Sequence, residues 1–274
     1  MTHMRPAAVA GAFYPAQATI LNKDVQQYLR ESGTHLPSGQ EALSWPKALI
    51  VPHAGYVYSG PIAASAYNLL APGRGKIQRV VLLGPAHRVS FRGIALPGVD
   101  AFQTPLGALS VDRAGVAAIA RLPQVLELPV AHAQEHALEV QLPFIQEVLG
   151  PVSILPLVVG EATTQEVAEV LDVLWGGPET VILISSDLSH YHPYAEARGI
   201  DTATVQQILR LDGTPIHHEQ ACGATPINGL LQIARRHHLQ PRLLDLRNSG
   251  DTAGSRDTVV GYAAFAFFTE PTTP

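Results

Sequence analysis

The chain has 274 residues, 46% hydrophobic and 15% charged, a size and composition that suit one large α/β domain with a substantial core. Its 18 basic and 23 acidic residues give a formal net charge of -5 with no Lys/Arg cluster, which argues against a nucleic-acid partner. No apolar run approaches the roughly 18 residues of a membrane span, and MTHMRPAAVAGAFYPA lacks a signal-peptide pattern, so the expectation is a cytoplasmic protein without membrane contact.

The apolar period alternates between strand-like and helix-like along the chain. A helix is expected over 18–32, then a strand over 47–52, KALIVPH, closing on His53. Pro52 and Gly55 bracket that histidine with turn-forming residues inside PHAGYVYSG, and Ser59 with Pro61 can start a helix over 60–70. After the loop APGRGK, the strand expected over 78–84 ends in LLGPAH on His87. Strands over 92–97 and 107–111 flank the loop LPGVDAFQTPLG, followed by helices over 112–121 and 134–149. A strand over 152–159, a helix over 163–175 and a strand over 180–185 lead into SSDLSHYHP. Helices over 194–212 and 226–238 and strands over 241–246 and 258–268 complete the chain before a frayed TEPTTP tail. Gly261 in the last strand marks a bulge or a close backbone approach. The runs LIVP, VVLLG and VILIS are continuous rather than alternating, as in central strands covered on both sides. The expected architecture is α/β: a single domain over 1–274 with a central mixed, largely parallel β-sheet flanked by helices on both faces.

Three of these strands lead into a histidine: His53, His87 and His190. In open α/β sheets the carboxyl ends of the strands line the ligand crevice, so the three imidazoles can converge there on a transition metal. Asp187, three residues before His190, can accept a ring N–H and make the pair a general base. Cys222 is the sole cysteine, which rules out an intrachain disulfide. It stands just before Thr225-Pro226, a helix start whose dipole favours a thiolate; by residue type alone, a small buried hydrophobe is the commoner outcome. A rival constellation is His132, Glu135 and His136, which spell H-x-x-E-H, the inverted zinc-protease signature, and would support a zinc hydrolase if both histidines share a helix face. A milder reading puts Glu135, His136 and Glu139 behind the strand-end site as supporting groups. His217-His218 and His237-His238 read as surface pairs. No Walker loop and no G-x-G-x-x-G follows a strand, so nucleotide binding has no support.

AGAFYP, PHAGYVYSG, LLGPAH, EHALEVQLPF, SSDLSHY, Cys222-Gly223 and GDTAGSRDTVVGYAAFAF, in this order, resemble the Memo family, called AmmeMemoRadiSam system protein B in bacteria and archaea. That family is similar in fold to the LigB-type class III extradiol dioxygenases. The resemblance implies that His53, His87 and Cys222 are metal ligands and that the catalytic residues His190 and Asp187 line the same pocket. In LigB-type enzymes two histidines and a glutamate hold Fe(II); here a cysteine stands in place of the glutamate, so Fe(II) is the first expectation, with copper or zinc as alternatives for a softer site. The function implied is dioxygenase-like oxidoreductase chemistry on a small molecule or a protein side chain, with a non-catalytic metal-binding or scaffold protein as the alternative. The system name implies a radical SAM protein and an AMMECR-type protein as partners.

Overall fold

The computed structural model describes residues 3–33 and 45–269. The chain opens with β1 (Met4–Arg5), α1 (Ala18–Glu31), β2 (Ala48–Val51) and α2 (Tyr56–Tyr67). It continues through β3 (Arg79–Pro85), β4 (Ile94–Leu96), β5 (Ala101–Thr104), β6 (Gly107–Ser110), α3 (Arg113–Ile119), β7 (Val125–Glu127) and α4 (Pro129–Ala133). Next come α5 (Leu142–Leu149), β8 (Ser153–Val159), α6 (Thr164–Leu174), β9 (Thr180–Ser185) and β10 (His190–His192). The last elements are α7 (Tyr194–Arg210), α8 (Ala224–Arg236), β11 (Gln240–Asn248), α9 (Ser249–Thr252) and β12 (Val259–Phe268).

The main sheet has the order β10-β12-β2-β9-β3-β8-β4-β7, with β11 also paired to β12; β1, β5 and β6 form a separate small sheet. Strands β2, β9, β3 and β8 are mutually parallel, whereas β12 and β4 join that block antiparallel on either side. The sheet is therefore mixed with a parallel centre, as the continuous apolar runs imply. Successive residues of each central strand serve opposite cores. Leu49, Val51, Val80, Leu82, Val181 and Leu183 pack toward α1, α2 and α5, whereas Ala48, Ile50, Val81, Leu83, Ile182 and Ile184 pack toward α3, α6 and α8. Each fully buried aliphatic side chain contributes about 1.5–3 kcal/mol relative to exposure, so both cores are needed to hold the strand ends in register.

Several local expectations shift. The loop expected over 96–107 contains β5, which hairpins onto β6. Helix α2 starts at Tyr56, ahead of Ser59, whose hydroxyl donates to Ala54 O instead of capping. Helix α8 starts at Ala224 with Gly223 as N-cap, so Thr225 is inside the helix. The helix expected over 134–149 is broken: α4 ends at Ala133, a 3-10 turn spans Glu139–Gln141, and α5 begins at Leu142. One cause is local, since Pro143 has no N–H to offer Glu139 O and stands in the first turn of α5. The other is long-range: Arg5 donates to the carbonyls of His132 (2.6 Å) and Glu135 (2.7 Å) and holds the turn between α4 and the 3-10 segment. Gly261 is the expected close approach: a Cβ there would lie 2.0 Å from Asp201 Oδ2. The tail beyond residue 269 falls outside the described residues. No helix among the described residues is long and apolar enough to cross a membrane.

Candidate metal centre

Strands β2, β9 and β3 are neighbours and parallel, so their carboxyl ends share one rim, with Val51 opposite Ser185. Pro52 and Ala86 then carry the chain off the sheet, and His53 and His87 face each other across that rim with ring centroids 5.2 Å apart. His136 arrives from the broken segment before α5 and closes the group, its ring 4.6 Å from that of His87 and 5.4 Å from that of His53. One ring nitrogen from each of His53, His87 and His136 lies within 4.8 Å of the others. Gly84 makes this possible, because a Cβ there would meet Leu138 Cδ2 at 2.8 Å and push the His136 segment off the strand end.

Hydrogen bonding fixes which nitrogen each ring offers. Ser185 Oγ donates its one hydrogen to Ala137 O (2.6 Å) and accepts from Gln141 Nε2 (2.8 Å), so its contact with His53 Nδ1 (2.9 Å) makes that nitrogen the N–H. His53 Nε2 is then the acceptor nitrogen, its lone pair met by the Cys222 thiol at 3.3 Å. Glu135 does the same for His87: Oε1 accepts from Nδ1 at 2.9 Å and Oε2 from the His87 backbone N–H at 2.7 Å. Burial raises the Glu135 pKa, but the hydrogen bonds from His87 and Ala137 outweigh it and hold the group down at about 2, so the acceptor is a carboxylate. His136 Nδ1 is buried without a hydrogen bond, 3.4 Å from Glu135 Oε1.

Burial, followed by the neighbouring His87 ring, lowers the His53 pKa to about 3. Burial and then His53 lower that of His136 to about 4. Both rings are therefore neutral at pH 7, the form that binds metals. Cys222 Sγ lies 3.3 Å from His53 Nε2, on the border of the group, and outside the trio of mutually close nitrogens. Burial, reinforced by Asp187, pushes its thiol up to about 12, overriding the helix-dipole effect expected from the sequence. A bound cation would restore the thiolate, as it does for any coordinating thiol. Imidazole lone pairs, a carboxylate behind His87 and a thiol beside His53 together fit a transition-metal ion.

The other residues singled out in the sequence take different positions. Asp187 is buried and accepts the His53 backbone N–H at 2.7 Å; burial raises its pKa. It is not hydrogen-bonded to the His190 ring, so it fixes the loop that carries His53. His190 begins β10, half-buried, close enough to act electrostatically on His53, Asp187 and Asp201. Glu139 faces away from the histidines, into a buried ion pair with Arg5 at 2.6 Å. His132 corrects the H-x-x-E-H reading: with α4 ending at Ala133 it does not share a helix face with His136. Its Nε2 bonds Ala95 O at 2.9 Å. His218 is exposed, as expected, and borders a cleft of about 890 Å³ that reaches His87 and Cys222. The same cleft is bordered by Arg88, Phe91 and Thr225. Ser185 was placed with Ser186 at a strand end by the sequence but given no role, and Gln141 was not singled out; its only signal was a polar residue within LEVQLPF.

The model of the Memo-like protein family matches residues 5–266 of the chain. A MEMO1 family protein of Metallosphaera sedula is 35% identical over 281 residues, covering 96% of this chain and 99% of its own length. One from Sulfolobus acidocaldarius is 34% identical over 283 residues with the same coverage. A third, from Aeropyrum pernix, is 36% identical over 285 residues, covering 95% of this chain and 98% of its own. Among solved structures, an uncharacterized protein of Escherichia coli K12 aligns with 78% of this chain and 98% of its own at a TM-score of 0.48 and 12% identity. With that family model matched across nearly its whole length, from the Arg5 segment to β12, the chain belongs to the Memo family.

Proposed function

We propose that this protein is a non-haem metalloprotein with oxidoreductase chemistry of the kind its likeness to LigB-type dioxygenases implies. The observation that carries the reading is the pair of committed Nδ1 atoms. His53 and His87 each have Nδ1 tied to a partner, which makes Nε2 the acceptor nitrogen, and this is how proteins pre-set imidazole ligands. In this reading His53 and His87 hold the ion, and His136 and Cys222, the two donors that border them, complete its protein ligands. A redox-active ion there, Fe(II) first and copper next, would supply electron transfer to or from a bound substrate. His190, half-buried at the rim, carries a proton between substrate and solvent, and Asp187 holds the His53 loop in place. Substrate enters through the cleft beside His87, which is roomy enough for a small molecule or an extended side chain. A radical SAM protein and an AMMECR-type protein are the proposed partners, supplying or using the modified group; co-purification of the full chain with each checks this.

The test is anaerobic metal analysis of the protein beside single variants. About one iron or copper per chain, abolished by His53→Ala or His87→Ala and weakened by Cys222→Ser or His136→Asn, is the expected result. His190→Ala should keep the metal and lose turnover. Metal retained in His53→Ala would overturn the assignment. Tight metal binding with no oxygen uptake in a substrate screen would leave a binding or scaffold protein instead.

A further inference from the structure

We infer that the N-terminal segment from Arg5 to Tyr14 belongs to the metal centre's frame, and that Arg5 and Phe13 are positioning residues for His136. The inference rests on the metal reading above for its consequence, and on contacts for its geometry. His136 packs against two rings, His87 at 4.6 Å and 25° and Phe13 at 4.6 Å and 37°. Phe13 is itself pinned, since its carbonyl accepts the Tyr56 N–H at 2.8 Å and its N–H donates to Val9 O at 2.9 Å.

The backbone of His136 is set from the same segment. Arg5 Nη2 donates to Glu135 O at 2.7 Å and Arg5 Nε to His132 O at 2.6 Å, so the guanidinium spans the turn that delivers Glu135 and His136. Its third arm, Nη1, meets Glu139 Oε2 at 2.6 Å, and Glu139 takes the N–H groups of Ala8 and Val9 and the Tyr14 hydroxyl. Three Arg5 hydrogen bonds, together with those of Ala8, Val9 and Tyr14 to Glu139, join the N-terminus to the segment over 132–139, while Nη1 also donates to Pro6 O within the N-terminus. Arg5 thereby holds the carbonyls of a non-helical turn, His132 O accepting the Glu135 N–H at 3.2 Å as well, and that turn sets where His136 leaves the backbone. A planar, five-donor guanidinium suits this task, whereas an ammonium would not reach both carbonyls and the carboxylate.

The experiment titrates Co(II) into the chelator-treated full chain and reads both affinity and the visible absorption of the bound ion. Phe13→Leu should weaken Co(II) binding on the order of 10-fold, in the range of losses seen when a ligand's supporting partner is removed, and change the absorption intensity. In a His136→Asn background the same Phe13→Leu change should cost nothing further. Equal losses in both backgrounds, or no loss in a folded Phe13→Leu protein, would overturn the inference. Arg5→Lys is the second probe: at temperatures where it remains folded by circular dichroism, it should show the same altered absorption. If the unaltered protein binds no Co(II), the metal reading has failed and the positioning is judged on the metal-free protein by NMR. Phe13→Leu should then move the His136 ring signals and leave those of His190 in place; unmoved His136 signals would overturn it.

Discussion

The two ends of the central strands bury nitrogen in opposite ways. At the end where β2 begins, Lys47 is 7% exposed, and its ammonium donates to the carbonyls of Trp175, Gly177 and Thr180 at 2.5, 2.9 and 2.9 Å while lying over the Trp175 ring. Every hydrogen of that group has an acceptor, and nothing is left over for a ligand. At the other end His53 and His87 each spend one nitrogen on a partner and keep the second. The contrast separates a structural buried cation from a group poised to bind: saturation marks the first, a directed surplus of lone pairs the second.

Acid should break this comparison most strongly. The folded-state pKa values of His53, His136 and His132 lie at about 3, 4 and 4, the last lowered chiefly by burial, against an ordinary 6.5. A lowered folded value means the unfolded chain binds protons first, so this stabilisation is complete above about pH 6.5 and lost progressively as pH falls toward 4. Each histidine adds a slope of up to about 1.4 kcal/mol per pH unit, so urea titrations of the metal-free protein should show a drop of several kcal/mol across that window. A flat profile would mean that the rings are already charged. Next in size, Lys47→Met should remove a donor from three carbonyls and cost about 2–4 kcal/mol of stability while leaving metal content unchanged. Loss of metal in that variant would show that the two ends are not independent. Ser185→Ala strikes the rim instead, depriving Ala137 O of a donor and His53 Nδ1 of an acceptor; about 1–2 kcal/mol and a mobile His53 ring, seen by NMR, are expected. Glu135→Gln keeps the shape but turns one buried acceptor oxygen into an amide donor facing an N–H of His87 or Ala137, and should cost about 1–2 kcal/mol. Its metal affinity should also fall on the order of 10-fold, read by competition with a chelator, since His87 loses its anionic partner.

His53 and His87 were legible in the sequence because Pro52, Gly84 and Pro85 end continuous apolar runs abruptly, and parallel strands with covered faces have one open rim. His190 followed the same visible pattern but not the same geometry: β9 stops at Ser185, and the histidine starts β10 against β12. His136 was visible as a supporting group or, in the H-x-x-E-H reading, as a zinc ligand beside His132, but not as a neighbour of His53 and His87, because Arg5, which holds its turn through Glu135 O, lies 130 positions from Glu135. Nothing local to residues 134–149 announces Arg5. Cys222 could be located but its ionisation could not, because burial is a property of the packed chain and the helix dipole is not strong enough to offset it.

His53 and Cys222 are 169 residues apart in the chain, and β2, which carries His53, is held between β9 and the final strand β12. A chain still emerging from the ribosome therefore has the first histidines but neither the thiol nor the strand that seats them. If the site takes an ion as proposed, capture would wait until Cys222 and β12 have joined β2, and the affinity of any shorter folding intermediate would be that of its histidines without the thiol.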